Sequence, residues 1–281
     1  MTNIILFATY WNEIEWIKPS LEQIDKISPC ECIICDGCFD PSHVLHSTDG
    51  TREIIEEFIA KRAYVKLIPP VRFSRLKHYL TWFASLPLEN TMTSLIPKLR
   101  SAISFNRFSL YRLNQCTTFN YMIKLSKLFR KGRWFMTYDC DQFYSDTMLD
   151  LFSKINEFDE YNVLTGRELT FFEDFNNYTD KYETRDHNNM PHRIYNSTRF
   201  IPTRHPVRIV QNRYKMYADF DKKYFSGNMY HYHLKSKERI NAGYSLGDRK
   251  PPEKSRTETV KYTGKHPEII NRYFHPGVNK R

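Results

Sequence analysis

Residues 3–9 read NIILFAT, an unbroken apolar run closed by a hydroxyl residue. A run of this length reads as a strand buried on both faces. Its continuation decides the fold. Ile14, Ile17, Leu21 and Ile24 recur at a helical period over 14–27, which a Pro-Cys pair then breaks. Glu31–Cys35 (ECIIC) is a second strand, ending at Asp36-Gly37. Ser47-Thr48-Asp49-Gly50-Thr51 is a turn, and Ile54, Ile55, Phe58 and Ile59 mark a helix face over Arg52–Lys61. Tyr64–Ile68 (YVKLI) is a third strand, closed by Pro69-Pro70. Strands alternating with helices across short connections imply an α/β fold with a mostly parallel, helix-covered sheet. Such sheets bind ligands outside the carboxyl ends of their strands. Chemistry is therefore expected at Thr9–Glu13 and Asp36–Asp40.

Further along, order falls and returns. Arg75–Leu86 and Ile96–Ile103 read as helices within an insertion at 71–113, separated by Pro87 and Pro97. Thr117–Phe129 carries an apolar face of Phe119, Met122, Ile123, Leu125 and Leu128, and Trp134–Tyr138 (WFMTY) is a strand that runs into Asp139-Cys140-Asp141. A helix over Ser145–Phe158 opens with Ser145 as its cap. Asn162–Thr165 and Met229–Leu234 read as strands, while 171–225 yields no clear elements. One domain over 1–235 is expected, with a polar extension over 236–281 that holds a helical turn and a mobile tail.

Composition narrows the class. The chain of 281 residues is 41% hydrophobic and 26% charged, as globular proteins are. No run approaches the ~20 apolar residues of a membrane span, and the start lacks the basic region of a signal peptide. These features suggest a cytosolic protein, peripheral to a membrane at most, with its six cysteines reduced. The net charge is +10, yet Val71–Trp134 holds twelve Lys or Arg and one acid, Glu89, or +11 in that segment alone. A basic stretch interleaved with aromatics suits a polyanion or an anionic surface, and equally a solvated basic face. Cys30, Cys32, Cys35 and Cys38 raise a zinc site. Alternation along a strand separates Cys32 from Cys35, which favours buried thiols acting as small hydrophobes.

Two carboxylates one residue apart at a strand end, Asp139 and Asp141, can reach one hard cation, Mn²⁺ or Mg²⁺, of the kind a nucleotide diphosphate needs. With these residues the series NIILFATYWNE, CIICDG, STDGTREIIEEF, YVKLI and WFMTYDCD resembles the family 2 glycosyltransferases of the GT-A fold. The likeness covers residues 3–70 and 114–145. It implies a GT-A sheet with helices on both faces and a nucleotide-sugar donor. It also implies roles: Thr9 and Glu13 beside the nucleotide, Asp36 accepting a hydrogen bond from the base, Asp139 and Asp141 on the metal. The chain departs from the family pattern in two places. Cys38–His46 intervenes before the S-x-D-G-T match, with Trp11 as an extra residue in the first turn, and 71–113 exceeds the usual spacing.

Other candidates complete the site. His231 and His233, two apart on a strand, share a face, and the family likeness suggests one of them joins the metal. An inverting transfer needs a carboxylate base, for which Glu173 and Asp174 are the candidates, with Asp180 and Asp186 as competitors. Arg193, Arg199, Arg204 and Arg208 are candidates to clamp a diphosphate. The expected acceptor is a glycan or glycolipid hydroxyl. The alternatives are a hydroxylated base of DNA, as in sugar-modified phage DNA, or a non-catalytic nucleic-acid-binding protein on the same scaffold. Clustered acids at 36, 139 and 141 argue against the last. A nucleotidyltransferase is disfavoured because Tyr10–Ile14 contains no glycine for a phosphate loop.

Overall fold

The structure, a computed structural model, describes residues 1–84, 109–171, 174–183, 189–195, 198–201, 208–211, 215–216, 223–232 and 260–274. The helix expected at 96–103 lies outside them, as do Glu173, Asp186, Arg204 and His233. In chain order come β1 (Ile4–Tyr10), α1 (Ile17–Ile27), β2 (Glu31–Asp36), α2 (Thr51–Ile59) and β3 (Val65–Ile68). Next are α3 (Arg75–Ala84), α4 (Leu110–Leu125), β4 (Trp134–Asp139), β5 (Gln142–Tyr144) and α5 (Asp146–Ser153). The strands β6 (Val163–Phe171), β7 (Asn177–Glu183) and β8 (His192–Arg193) follow. Then come β9 (Arg199–Ile201), β10 (Arg208–Gln211), β11 (Lys215–Met216), β12 (Lys223–Tyr232), β13 (Val260–Lys261) and α6 (Glu268–Phe274).

The centre is parallel. β1 pairs in parallel with β2 on one side and β4 on the other, and β3 continues the parallel run beyond β2. β12 is parallel to β6, whereas β5, β7, β8 and β13 join antiparallel. The protein is thus a mixed α/β fold with a mostly parallel central sheet. Strand alternation divides its apolar residues between two cores. Ile4, Leu6, Ala8, Cys32, Ile34, Met136 and Tyr138 face α1, α2 and α5. Ile5, Phe7, Ile33, Cys35 and Phe135 face α4. Cys32 and Cys35 therefore sit on opposite faces, and all six cysteines are free thiols.

Tertiary contacts set the boundaries that periodicity misplaces. Helix α1 starts at Ile17, later than expected, because the backbone turns at Asn12 (φ 50°) and the Glu13 carbonyl receives the amides of Trp16 and Ile17. Helix α4 begins seven residues early, at Leu110, where the Ser109 hydroxyl accepts the Arg112 amide. It stops at Leu125 because Glu31, at the start of β2, takes the Ser126 hydroxyl and the Lys127 and Leu128 amides. Ser145 caps α5 as expected. The strand read as Asn162–Thr165 runs on to Phe171, and the unassigned 171–225 supplies β7 to β11.

Residues 260–274, within the stretch read as an extension, are built into the domain. β13 pairs with β7, and α6 buries Ile269 and Ile270. Phe274 lies 4.4 Å from Trp16 by ring centroids, and Arg272 pairs with Glu22. Among the described residues, no helix is long and apolar enough to cross a membrane.

Glu31 joins three elements. Burial disfavours its charge, but Lys66 at 2.6 Å, the Ser126 hydroxyl and two amides outweigh this and hold the carboxyl below its usual range. Its contribution is then complete at neutral pH and fades as the pH falls through that lowered value. Glu31→Ala should cost about 2 kcal/mol in urea unfolding at pH 7, discounted because Lys66 is partly exposed, with the gap from wild type narrowing toward pH 3.

Candidate functional site

The carboxyl ends of β1, β2 and β4 lie side by side. Thr9 pairs with Cys35 on one strand and Asp139 on the other, and Tyr10 pairs with Asp36. Thr9, Asp139 and the loops after β1 and β2 thus form one edge of the sheet.

Those two loops are laced together. Ser47 Oγ accepts the Asn12 amide at 2.9 Å, Asn12 Oδ1 accepts the Thr48 amide, and Thr51 Oγ1 accepts the Glu13 amide at 2.7 Å. Asp49 takes the amides of Ile14 and Thr51. The Trp11 indole donates to the His46 carbonyl, and its ring lies against His43. The extra residue Trp11 and the intervening Cys38–His46 therefore belong to one structure, in which each holds the other. Glu13 is buried beneath it, 7% exposed.

Asp36 is the anchor of this arrangement. It is 0% exposed; Oδ1 accepts the Ser47 hydroxyl at 2.5 Å and Oδ2 the Arg52 guanidinium at 3.1 Å. His46 completes the cluster, with Nδ1 2.9 Å from Arg52 Nη1. The carboxylate expected to meet a nucleotide base is enclosed here by Ser47, Arg52 and His46. Gly37 makes the enclosure possible. At φ 150°, a Cβ there would come within 2.3 Å of the Leu45 carbonyl.

The second half of the site forms where β4 ends. Asp139 Oδ2 accepts from Asn189 Nδ2 at 3.0 Å, and Asn189 is fixed by the hydroxyls of Thr137 and Tyr144. Asp141 lies one turn of chain further, 4% exposed. Strand β12 brings His231 to it: His231 pairs with Gln142 on β5 and Thr170 on β6. Its Nε2 is 3.6 Å from Asp141 Oδ1, and its Nδ1 is 2.8 Å from Glu168 Oε1. Burial would lower the pKa of this ring, but Asp141 and Glu168, one beyond each nitrogen, raise it to about 10.

Asp141 and His231, far apart in sequence, are thus brought together just beyond the strand end that carries Asp139. Asp174 has a different environment. In the turn into β7, its Oδ1 takes the amides of Asn176 and Asn177 and its Oδ2 takes the Asn177 side chain, so it holds a turn. Arg193, a clamp candidate, donates to the Phe158 and Tyr161 carbonyls and to Asp159. Sequence reasoning missed Glu168, Asn189 and Gln142. The Gln142 position, next to Asp141, was the one visible signal; the other two depend on strand register.

Among the described residues, no three His, Cys, Asp or Glu side chains converge as a ready-made metal site. Asp141 Oδ1 and His231 Nε2 nonetheless suit a divalent cation that keeps waters and shares phosphate oxygens, which needs only one or two protein ligands. Gln142 shares the face of His231 across the β5–β12 pair, and its Oε1 is buried with no hydrogen-bond partner among the described residues. That oxygen is a further neutral donor beside the pair.

No protein-family model matches the sequence, and no curated protein does. Among solved structures, TarS of S. aureus aligns with 14% identity and a TM-score of 0.35, over 69% of this chain and 28% of TarS. The chain spans little more than a quarter of that protein's length.

Enclosing Asp36 sets its carboxylate against the Arg52 guanidinium at 3.1 Å. Arg52→Met should destabilise the protein by about 3 kcal/mol in urea at pH 7, because it leaves a buried carboxylate without its cation. Adding Asp36→Asn should recover part of that loss. Equal losses for the single and double variants would mean that the ion pair is not what holds the loop.

Proposed function

We propose that this chain is a metal-dependent glycosyltransferase that moves a sugar from a nucleotide diphosphate onto a hydroxyl of a glycan or glycolipid. The observation that carries this reading is the approach of His231 to Asp141 within 3.6 Å, beside Asp139, at the carboxyl edge of a parallel sheet. A structural ion cluster has no need of that edge, whereas ligands of open α/β sheets bind there.

In this reading Asp141 and His231 would hold Mn²⁺ or Mg²⁺, with Asp139 close by at the end of β4. When bound, the cation neutralises charge on the diphosphate leaving group. Asn189 fixes the Asp139 carboxylate so that it need not reorganise during transfer. Thr9, partly exposed between β2 and β4, and the laced loops after β1 and β2 line the nucleotide end. Asp36 and Glu13 act there indirectly, by holding the loops in place. The proton of the acceptor hydroxyl goes to a carboxylate base in an inverting transfer. Asp174 is held in its turn; Glu173 is the proposed base, with Asp180 and Asp186 as its competitors. The basic segment 71–134 is proposed, from its charge, to engage the acceptor, and a salt-dependent gel shift with duplex DNA tests DNA as the acceptor instead.

The direct test is thermal unfolding with Mn²⁺ and a panel of nucleotide sugars, for wild type and Asp141→Ala. A donor at ~100 times its dissociation constant should stabilise the wild type by about 2.7 kcal/mol, and the variant far less. If no nucleotide sugar shifts the wild type while DNA stabilises both proteins alike, the transferase reading fails in favour of a binding protein.

A further inference from the structure

We infer that Glu168 is a positioning residue for the cation site, fixing the His231 ring so that Nε2 faces Asp141. This rests on the cation reading above and assigns a residue outside the ligand set. A carboxylate only accepts, so the 2.8 Å contact between Glu168 Oε1 and His231 Nδ1 puts a proton on Nδ1. Nε2, 3.6 Å from Asp141 Oδ1, is then the nitrogen left to face a cation, which takes the place of the proton there. That spacing exceeds a hydrogen bond and is one that two donors to a single cation can have. Without an acceptor at Nδ1, the ring is free to change tautomer and to turn, and either change removes the donor from the site.

Glu168 is itself held. The Thr170 hydroxyl donates to Glu168 Oε1 at 3.1 Å, from the same face of β6 two residues on. Register brings these side chains under His231: β12 lies parallel to β6, with Met229 opposite Glu168 and His231 opposite Thr170. The register is set after a bulge between Phe225 and Asn228, where Gly227 adopts φ 120°. There a Cβ on Gly166 would come within 2.7 Å of the Gly227 carbonyl, so two glycines let the strands approach just before the Glu168–His231 pair. The side chains of Glu168 and His231 are 9% and 13% exposed, so water competes little for their bond. With Oε1 engaged by His231 and Thr170, Glu168 acts through the imidazole.

The test is Mn²⁺ binding in the absence of substrate, read from the EPR signal of the free ion, with folding checked by circular dichroism. Glu168→Ala should weaken Mn²⁺ binding 10- to 100-fold, the usual effect of losing such a partner. Glu168→Gln, whose amide oxygen still accepts from Nδ1, should stay within about threefold of wild type on the same grounds. Glu168→Asp keeps the charge but withdraws the acceptor, so it should weaken binding more than the Gln variant does. These two conservative variants decide the matter even if the Ala variant does not fold. In a His231→Ala background, Glu168→Gln and Glu168→Asp should bind Mn²⁺ alike. The inference is overturned if Asp binds as well as Gln, or if their difference survives without His231. A wild type that binds no Mn²⁺, or an Asp141→Ala variant that binds it normally, defeats the cation reading itself, and the role of Glu168 falls with it.

Discussion

A strand with no solvent face can be satisfied only by neighbours on both edges and helices on both sides, and β1 is such a strand. Its residues are buried almost throughout, and it exchanges backbone hydrogen bonds with β2 and β4 in parallel. Parallel pairing has a directional consequence: all three strands end on the same edge. That edge carries Thr9, Asp36 and Asp139, none of which is near another in sequence. The site is thus a product of strand polarity before it is a product of any side chain.

From that edge, two kinds of polar order emerge. Around Asp36 the order closes inward, since Ser47, Arg52 and His46 surround a carboxylate that water does not reach. Around Asp141 and His231 the groups lie on the sheet face, with Gln142 Oε1 beside them. A buried carboxylate is costly unless paired, and each half meets that requirement differently. The first half uses a permanent cation from the chain, the Arg52 guanidinium. The second uses the His231 imidazole, which lies between the carboxylates of Asp141 and Glu168.

The legible parts of the sequence were those set by local period. NIILFAT, ECIIC, YVKLI and WFMTY announce the parallel core because buried strands read as unbroken apolar runs. Asp139 and Asp141 were legible with them, being attached to the end of one such run. Ser145 was legible as a cap for the same reason. Glu168 was not, because its meaning depends on pairing with a strand sixty-odd residues away, and its own strand looked finished at Thr165. Nor was the enclosure of Asp36, since nothing local says that Cys38–His46 folds back over it. Helix α4 shows the same limit. Its end is set by Glu31, whose carboxylate binds the hydroxyl and amides just beyond Leu125.

The contact between Trp16 and Phe274 bears on how the chain acquires its shape during synthesis. Strand β1 and helix α1 are made long before α6, yet Trp16 is covered by Phe274 and by Tyr232, and Lys26 and Glu22 find partners on α6. Contacts between such distant positions form late, after the entropy of closing a long loop has been met. The apolar surface around Trp16 therefore waits without α6 until the much later residues of that helix have left the ribosome. That interval exposes the nascent chain to non-native association, and α6 ends it.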